Sequence, residues 1–87
     1  MRLDKFLKVS RLIKRRTVAK EISDQGRIEI NGKQAKSSTT VKVGDVLTVK
    51  FGQRIVTVKV ERLQESSRKE EAAEMYSVIS EDRVAEA

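Results

Sequence analysis

The sequence predicts an α+β domain: two short N-terminal helices packed on a small antiparallel sheet, followed by a short helical tail. Three observations carry that prediction. Apolar residues recur with a helical period as far as Gly26 and alternate with a period of 2 from Arg27 onward. The two-residue hairpin signal Asn31-Gly32, with the turn pairs Gly44-Asp45 and Gly52-Gln53, divides the second part into short strands. All 4 glycines therefore fall at element ends, where local and global signals agree. With 87 residues the chain is one small domain with a modest core.

The elements follow in order. Residues 2–9 form an amphipathic helix with Leu3, Phe6 and Leu7 on one side and Arg2, Lys5 and Lys8 on the other. Thr17 suits the N-cap of a second helix running to about Asp24, with Gly26 at its C′ position. Val18, Ala19 and Ile22 make the apolar face of that helix, and Lys20, Glu21 and Asp24 lie opposite. Arg27–Ile30 reads as a strand entering the Asn31-Gly32 hairpin, and Ser37–Thr40 as a loop between strands. Leu47, Val49 and Phe51 share one strand face, with Thr48 and Lys50 on the other; Val56, Val58 and Val60 alternate with Thr57 and Lys59 in the next strand. In the tail, Ser67-x-x-Glu70 is a capping box for a helix over Lys69–Met75. Tyr76–Ile79 is a β-prone run able to dock on the sheet, and residues 81–87 read as frayed. The composition shift near Gln64–Ser67 divides the chain into a body, residues 1–64, and an acidic tail, residues 65–87.

Charge separates the same two parts. Residues 1–27 hold nine basic and three acidic side chains, a net of +6. Residues 28–60 hold six and two, and residues 61–87 four and eight, for nets of +4 and −4. The whole chain is at +6, which points to an anionic partner. Cys and His are both absent, which removes disulfides, thiolate and imidazole metal sites, and every nucleophile–histidine pair. The glycines are isolated and form no phosphate-cradling loop, and no spaced carboxylate pair stands in an apolar setting. We therefore expect no enzyme, no cofactor and no metal. No apolar run approaches the roughly 20 residues of a membrane span, and the basic helix is too short for a surface anchor. The expected place is the cytoplasm, and the expected state a monomer, because no apolar stripe is left over once the core is built.

The candidate binding residues are Arg2, Lys5, Lys8, Arg11, Lys14, Arg15, Arg16, Lys20 and Arg27. Arg2 to Arg16 places seven like charges within 15 residues, a self-repulsion that a solvated face does not require and that a polyanion relieves through counterion release. With Phe6, Phe51 and Tyr76 as the only aromatics, and two of them in apolar stripes, stacking platforms for single strands are scarce. The expected ligand is structured RNA read through phosphates, 2′-hydroxyls and shape. Arginine grips phosphate bidentately, so Arg2, Arg11, Arg15 and Arg16 rank above the lysines. A tight hairpin after Gly26 would hold Arg27 beside the basic helix region.

These residues also carry a resemblance. RLDKFL at the start, Arg16-Thr17-x-Ala19 opening the second helix, Gly26-Arg27-Ile28-x-Ile30-Asn31-Gly32, and Val43-Gly44-Asp45 before a strand resemble, in this order, the S4 RNA-binding domain over residues 1–51. One departure is Ser37-Ser38, where the domain often has Pro; a looser loop is expected there. A free-standing basic S4 chain with a KEEAAEMYSVI tail is similar to the S4 factors of bacterial ribosome-associated quality control, relatives of the heat-shock ribosome-binding S4 proteins. That resemblance implies large-subunit rRNA, peptidyl-tRNA and the stalled large ribosomal subunit as partners. It also implies support for an RqcH-type tailing factor that adds C-terminal alanine to the nascent chain. A generic rRNA-binding or ribosome-assembly S4 module is the alternative, and an adaptor acting through the acidic tail a third reading.

Overall fold

A computed structural model of the chain describes residues 1–65 and 68–83. Helices α1 (Leu3–Val9) and α2 (Arg16–Asp24) are followed by strands β1 (Ile28–Ile30), β2 (Lys33–Gln34), β3 (Val46–Phe51) and β4 (Arg54–Val60). A one-turn helix α3 (Lys69–Ala72) and strand β5 (Tyr76–Arg83) complete the chain. The strands form one antiparallel sheet in the order β2-β1-β3-β4-β5. As the alternation requires, Val49 lies opposite Val56 and Leu47 opposite Val58, so one sheet face is apolar. Leu3, Phe6 and Leu7 of α1, Ile13 of the interhelical turn and Ala19 of α2 pack with Ile28, Leu47, Val49, Val56, Val58 and Val60 into a single core.

The β1–β2 hairpin has the geometry its sequence demands. Asn31 and Gly32 both have positive φ, 53° and 83°, the two-residue turn whose twist matches that of the strands. The Asn31 side chain adds a second tie, accepting from Val46 N–H at 3.0 Å and donating to Asp45 Oδ1 at 3.1 Å.

Helix α1 begins without a side-chain cap, and the rest of the fold supplies what is missing. Leu3 N–H donates to Thr39 C=O (2.8 Å), Asp4 N–H to Ser37 C=O (3.2 Å), and Lys5 N–H to the Asp4 carboxylate (2.8 Å). The 37–40 loop is thus anchored where a loose one was expected. Ser37 is buried, and its N–H and hydroxyl both donate to Asp24 Oδ1, at 3.2 and 2.9 Å. A proline at that position has no N–H to give.

Other expectations are corrected in detail. Helix α2 starts two residues earlier than expected, with Arg15 rather than Thr17 in the N-cap position and no side-chain cap. The tail helix ends at Ala72 rather than Met75, because Met75 turns into the core and begins the approach to β5. Residues 81–83 are not frayed but continue β5 along β4, their backbones paired with residues 54–56. Ser67, expected as a helix cap, and residues 84–87 lie outside the described residues, as does the Phe51 side chain. Apolar surface is left over after all: Val78 and Ile79 of β5 are 56% and 55% exposed, because β5 extends the sheet beyond the reach of the two helices.

Candidate nucleic-acid interface

The site is organised by a carboxylate. Asp4 lies in the first turn of α1 and is only 3% exposed, unusual for an acid in so basic a segment. Its Oδ1 accepts from Arg2 Nε at 3.3 Å, and its Oδ2 stands 3.5 Å from Arg2 Nη2 and from Arg16 Nε. Two arginines 14 positions apart are thereby held side by side, their remaining N–H groups turned to solvent. The carboxylate was not among the expected site residues. Its one sequence signal is an acid alone among the charges of α1, at the foot of the helix.

Arg2 is further fixed by its backbone, which pairs with Thr40, and by Val41 N–H donating to Met1 C=O at 2.8 Å. Arg15 and Arg16 occupy the N-cap and first position of α2, whose first turn holds no acidic residue. Cations at a helix N-terminus oppose the macrodipole by about 0.3–1 kcal/mol each, an arrangement that an anion at the same place would relieve. Arg11 carries a second local cost. At the end of α1 its φ is 64°, in the left-handed region, where a non-glycine residue is strained by about 1–2 kcal/mol. Its N–H donates to Lys8 C=O at 3.0 Å, closing the helix in the manner usually left to glycine.

The nine expected residues therefore divide. Arg2, Arg15 and Arg16 come together at the N-terminal ends of both helices; Arg11 and Lys14 are exposed on the turn that joins them. Lys8 is exposed on α1 and Lys20 on α2. Lys5 is half-buried and pairs with Glu65 of the tail, so part of its charge is already answered. The hydrogen bond and charge of Lys5 hold the Glu65 carboxyl below its ordinary value. Arg27 is not brought to the cluster: its N–H bonds Ile22 C=O at 3.2 Å, at the far end of α2 and about 13 Å of helix from Arg16. Among the described residues, Lys8, Arg11, Lys14, Arg15, Lys20 and Arg27 have no ion-pair partner. Arg54 pairs with Glu81 and Arg62 with Glu74, and among the described residues no carboxylate of the tail pairs with Arg2, Arg11, Arg15 or Arg16.

Such a surface can hold phosphates. Among the described residues, no group of three or more acidic side chains is placed to hold a metal ion, and no helix is long and apolar enough to cross a membrane.

Comparison with known proteins identifies the family and the fold. The S4 domain model matches residues 1–47, which contain both helices, the hairpin and every arginine of the cluster. The chain belongs to the S4 domain family. Its S4 fold also extends to solved relatives: the trimeric structure of Vibrio cholerae heat shock protein 15 superposes with a TM-score of 0.85 at 31% identity, covering 92% of this chain and 82% of that one. Within the family, the chain is 65% identical over 86 residues to the RQC P-site tRNA stabilizing factor of Bacillus subtilis (strain 168), covering 99% of this chain and all of that protein. It is 62% identical over 86 residues to the protein of the same name from Listeria monocytogenes, covering 99% and 94%.

Proposed function

We propose that this S4 protein is a non-catalytic factor of bacterial ribosome-associated quality control. It binds the stalled large ribosomal subunit between rRNA and peptidyl-tRNA, steadies the tRNA in the P site, and so supports C-terminal alanine tailing by an RqcH-type factor. The observation that carries this reading is the 65% identity, over essentially the full length of both chains, to a protein named RQC P-site tRNA stabilizing factor. The site supports it. Arg2 and Arg16 locked on Asp4, with Arg15 beside them and Arg11 and Lys14 on the turn, form one cationic end suited to phosphates. On this reading residues 1–64 carry the RNA contacts, and residues 65–87 form an acidic appendage that completes the fold. The protein acts in the cytoplasm as a monomer, since the exposed Val18, Val43, Val78 and Ile79 lie on separate elements or loops save for the adjacent pair on β5.

The test is a pelleting assay at two salt concentrations, comparing empty large subunits with large subunits carrying peptidyl-tRNA. Preferential, salt-sensitive binding to the tRNA-bearing particle is expected. Arg16→Glu sets a second carboxylate beside Asp4, so its fold is checked by circular dichroism; the folded variant should weaken that association at least about tenfold through lost phosphate contacts. Equal binding to both particles would favour a generic rRNA-binding module, and retained binding by folded Arg16→Glu would move the site elsewhere.

A further inference from the structure

Beside the interhelical turn the core-facing side of the sheet runs out from under the helices. Val58 and Val60 are covered there, but their neighbour Val78 on β5 is left open. A groove of about 430 Å³ is lined by the apolar Leu12, Val56, Tyr76 and Val78 and by the charged Arg11 and Arg54, the latter paired to Glu81. Arg11 stands there in the left-handed backbone region, where glycine is free of strain, and its side chain has no partner among the described residues. Strain of that kind persists where the side chain's position is used.

We propose that this groove takes a single unpaired nucleotide of a structured RNA. Arg11 holds the phosphate, Tyr76 and Val78 lie against the base, and Glu81 accepts from an exocyclic amine. The proposal rests on the RNA-binding reading above and adds to it a place and a ligand feature. The chemistry of the groove selects the occupant: an apolar lining for a π face, the cation of Arg11, and the Glu81 carboxylate as an acceptor. Charge favours RNA over an acidic peptide, because Arg11 is followed within five residues by the exposed Lys14, Arg15 and Arg16, a run of cations that suits a polyanion.

The experiment titrates the full chain with two stem-loop RNAs of equal charge, one carrying a single bulged 2-aminopurine and one with the same residue paired. Tighter binding of the bulged RNA by about tenfold, with quenching of the 2-aminopurine, is expected from one stacked base. Val78→Ser changes no charge at an exposed position, so it should abolish that preference and leave binding of the paired stem unchanged. Arg11→Gly should lose the preference while raising the unfolding midpoint by about 4 °C or more, since it relieves the strained φ. Equal binding of the two RNAs, or a preference untouched by Val78→Ser, would overturn the groove while leaving the RNA reading in place. Failure of both RNAs to bind would overturn that reading itself. Release of the bulged base by an equimolar Glu/Phe peptide, with stem binding intact, would reassign the groove to a protein partner.

Discussion

Asp4 is an acid that a phosphate-binding surface tolerates only because of what it holds. Were it a bystander, Asp4→Asn would raise RNA affinity by removing a negative charge. As the residue that positions Arg2 and Arg16, it should do the opposite, weakening binding about threefold to tenfold as the charge-assisted contacts to both guanidiniums are lost. Filter binding at fixed salt reads the sign directly, and tighter binding by the variant would refute the positioning role. Asp24 acts on the fold instead. The Ser37 N–H, then its hydroxyl, then the charges of Lys20 and Lys36 hold its carboxyl below the ordinary value of 3.8. A carboxyl depressed in the folded state contributes stability above its unfolded value, and that contribution is lost as pH falls through the folded one. Urea unfolding of the wild type should therefore lose stability below about pH 3.8, and Asp24→Asn should show a shallower loss across the same window. Parallel profiles would remove Asp24 from the account.

Between residue and molecule stand the ties that fix each element. The β1–β2 hairpin owes its register to the Asn31-Gly32 turn, and the Asn31 side chain adds two bonds to the backbone ladder that joins β1 to β3. Asn31→Ala removes two hydrogen bonds and places alanine at a φ of 53°, where asparagine is better tolerated. The expected cost is about 1–2 kcal/mol in chemical denaturation, with no change in RNA binding beyond that following from stability. Helix α1 shows the same dependence from the other side. No residue before Leu3 caps it, and its first N–H groups are satisfied by Ser37, Thr39 and Asp4. The loop that closes over the chain start therefore also sets where Arg2 points.

At the scale of the molecule, the tail is part of the sheet. β5 pairs with β4 along its length, and Met75, fully buried, fills the core below Val60. Met75→Ala should destabilise the chain by about 2–4 kcal/mol, a large share of what a domain this size holds in reserve. Removing residues 65–87 should yield an aggregating chain, because the backbone of β4 becomes an open edge and Met75 is lost from the core. Circular dichroism and light scattering of both variants test this, and a stable, RNA-binding 1–64 fragment would show that the tail is dispensable to the fold. Charge is arranged at the same scale. Glu65, Glu74 and Glu81 pair with Lys5, Arg62 and Arg54, and none of the three pairs with Arg2, Arg15 or Arg16.

Much of this was legible along the chain, where the signals are local. The helical period of Leu3, Phe6 and Leu7, the two-residue turn at Asn31-Gly32 and the alternation of Val56, Val58 and Val60 each depend on neighbours a few positions away, and the structure keeps all three. The crowding of arginine before position 17 and the ordered S4 motifs were equally plain, because composition and motif order survive any packing. What the sequence left open depends on distance in space. It could not show that Asp4 reaches Arg16, that Ser37 locks onto Asp24, that Lys5 is answered by Glu65, or that Arg27 ends up at the wrong end of α2 for the cluster. These pairings join residues 12 to 60 positions apart, and no local preference encodes them. Local chemistry determined which elements form and that their helical end is cationic; the packing of α1, α2 and the 37–40 loop against one another decided which of those cations act together.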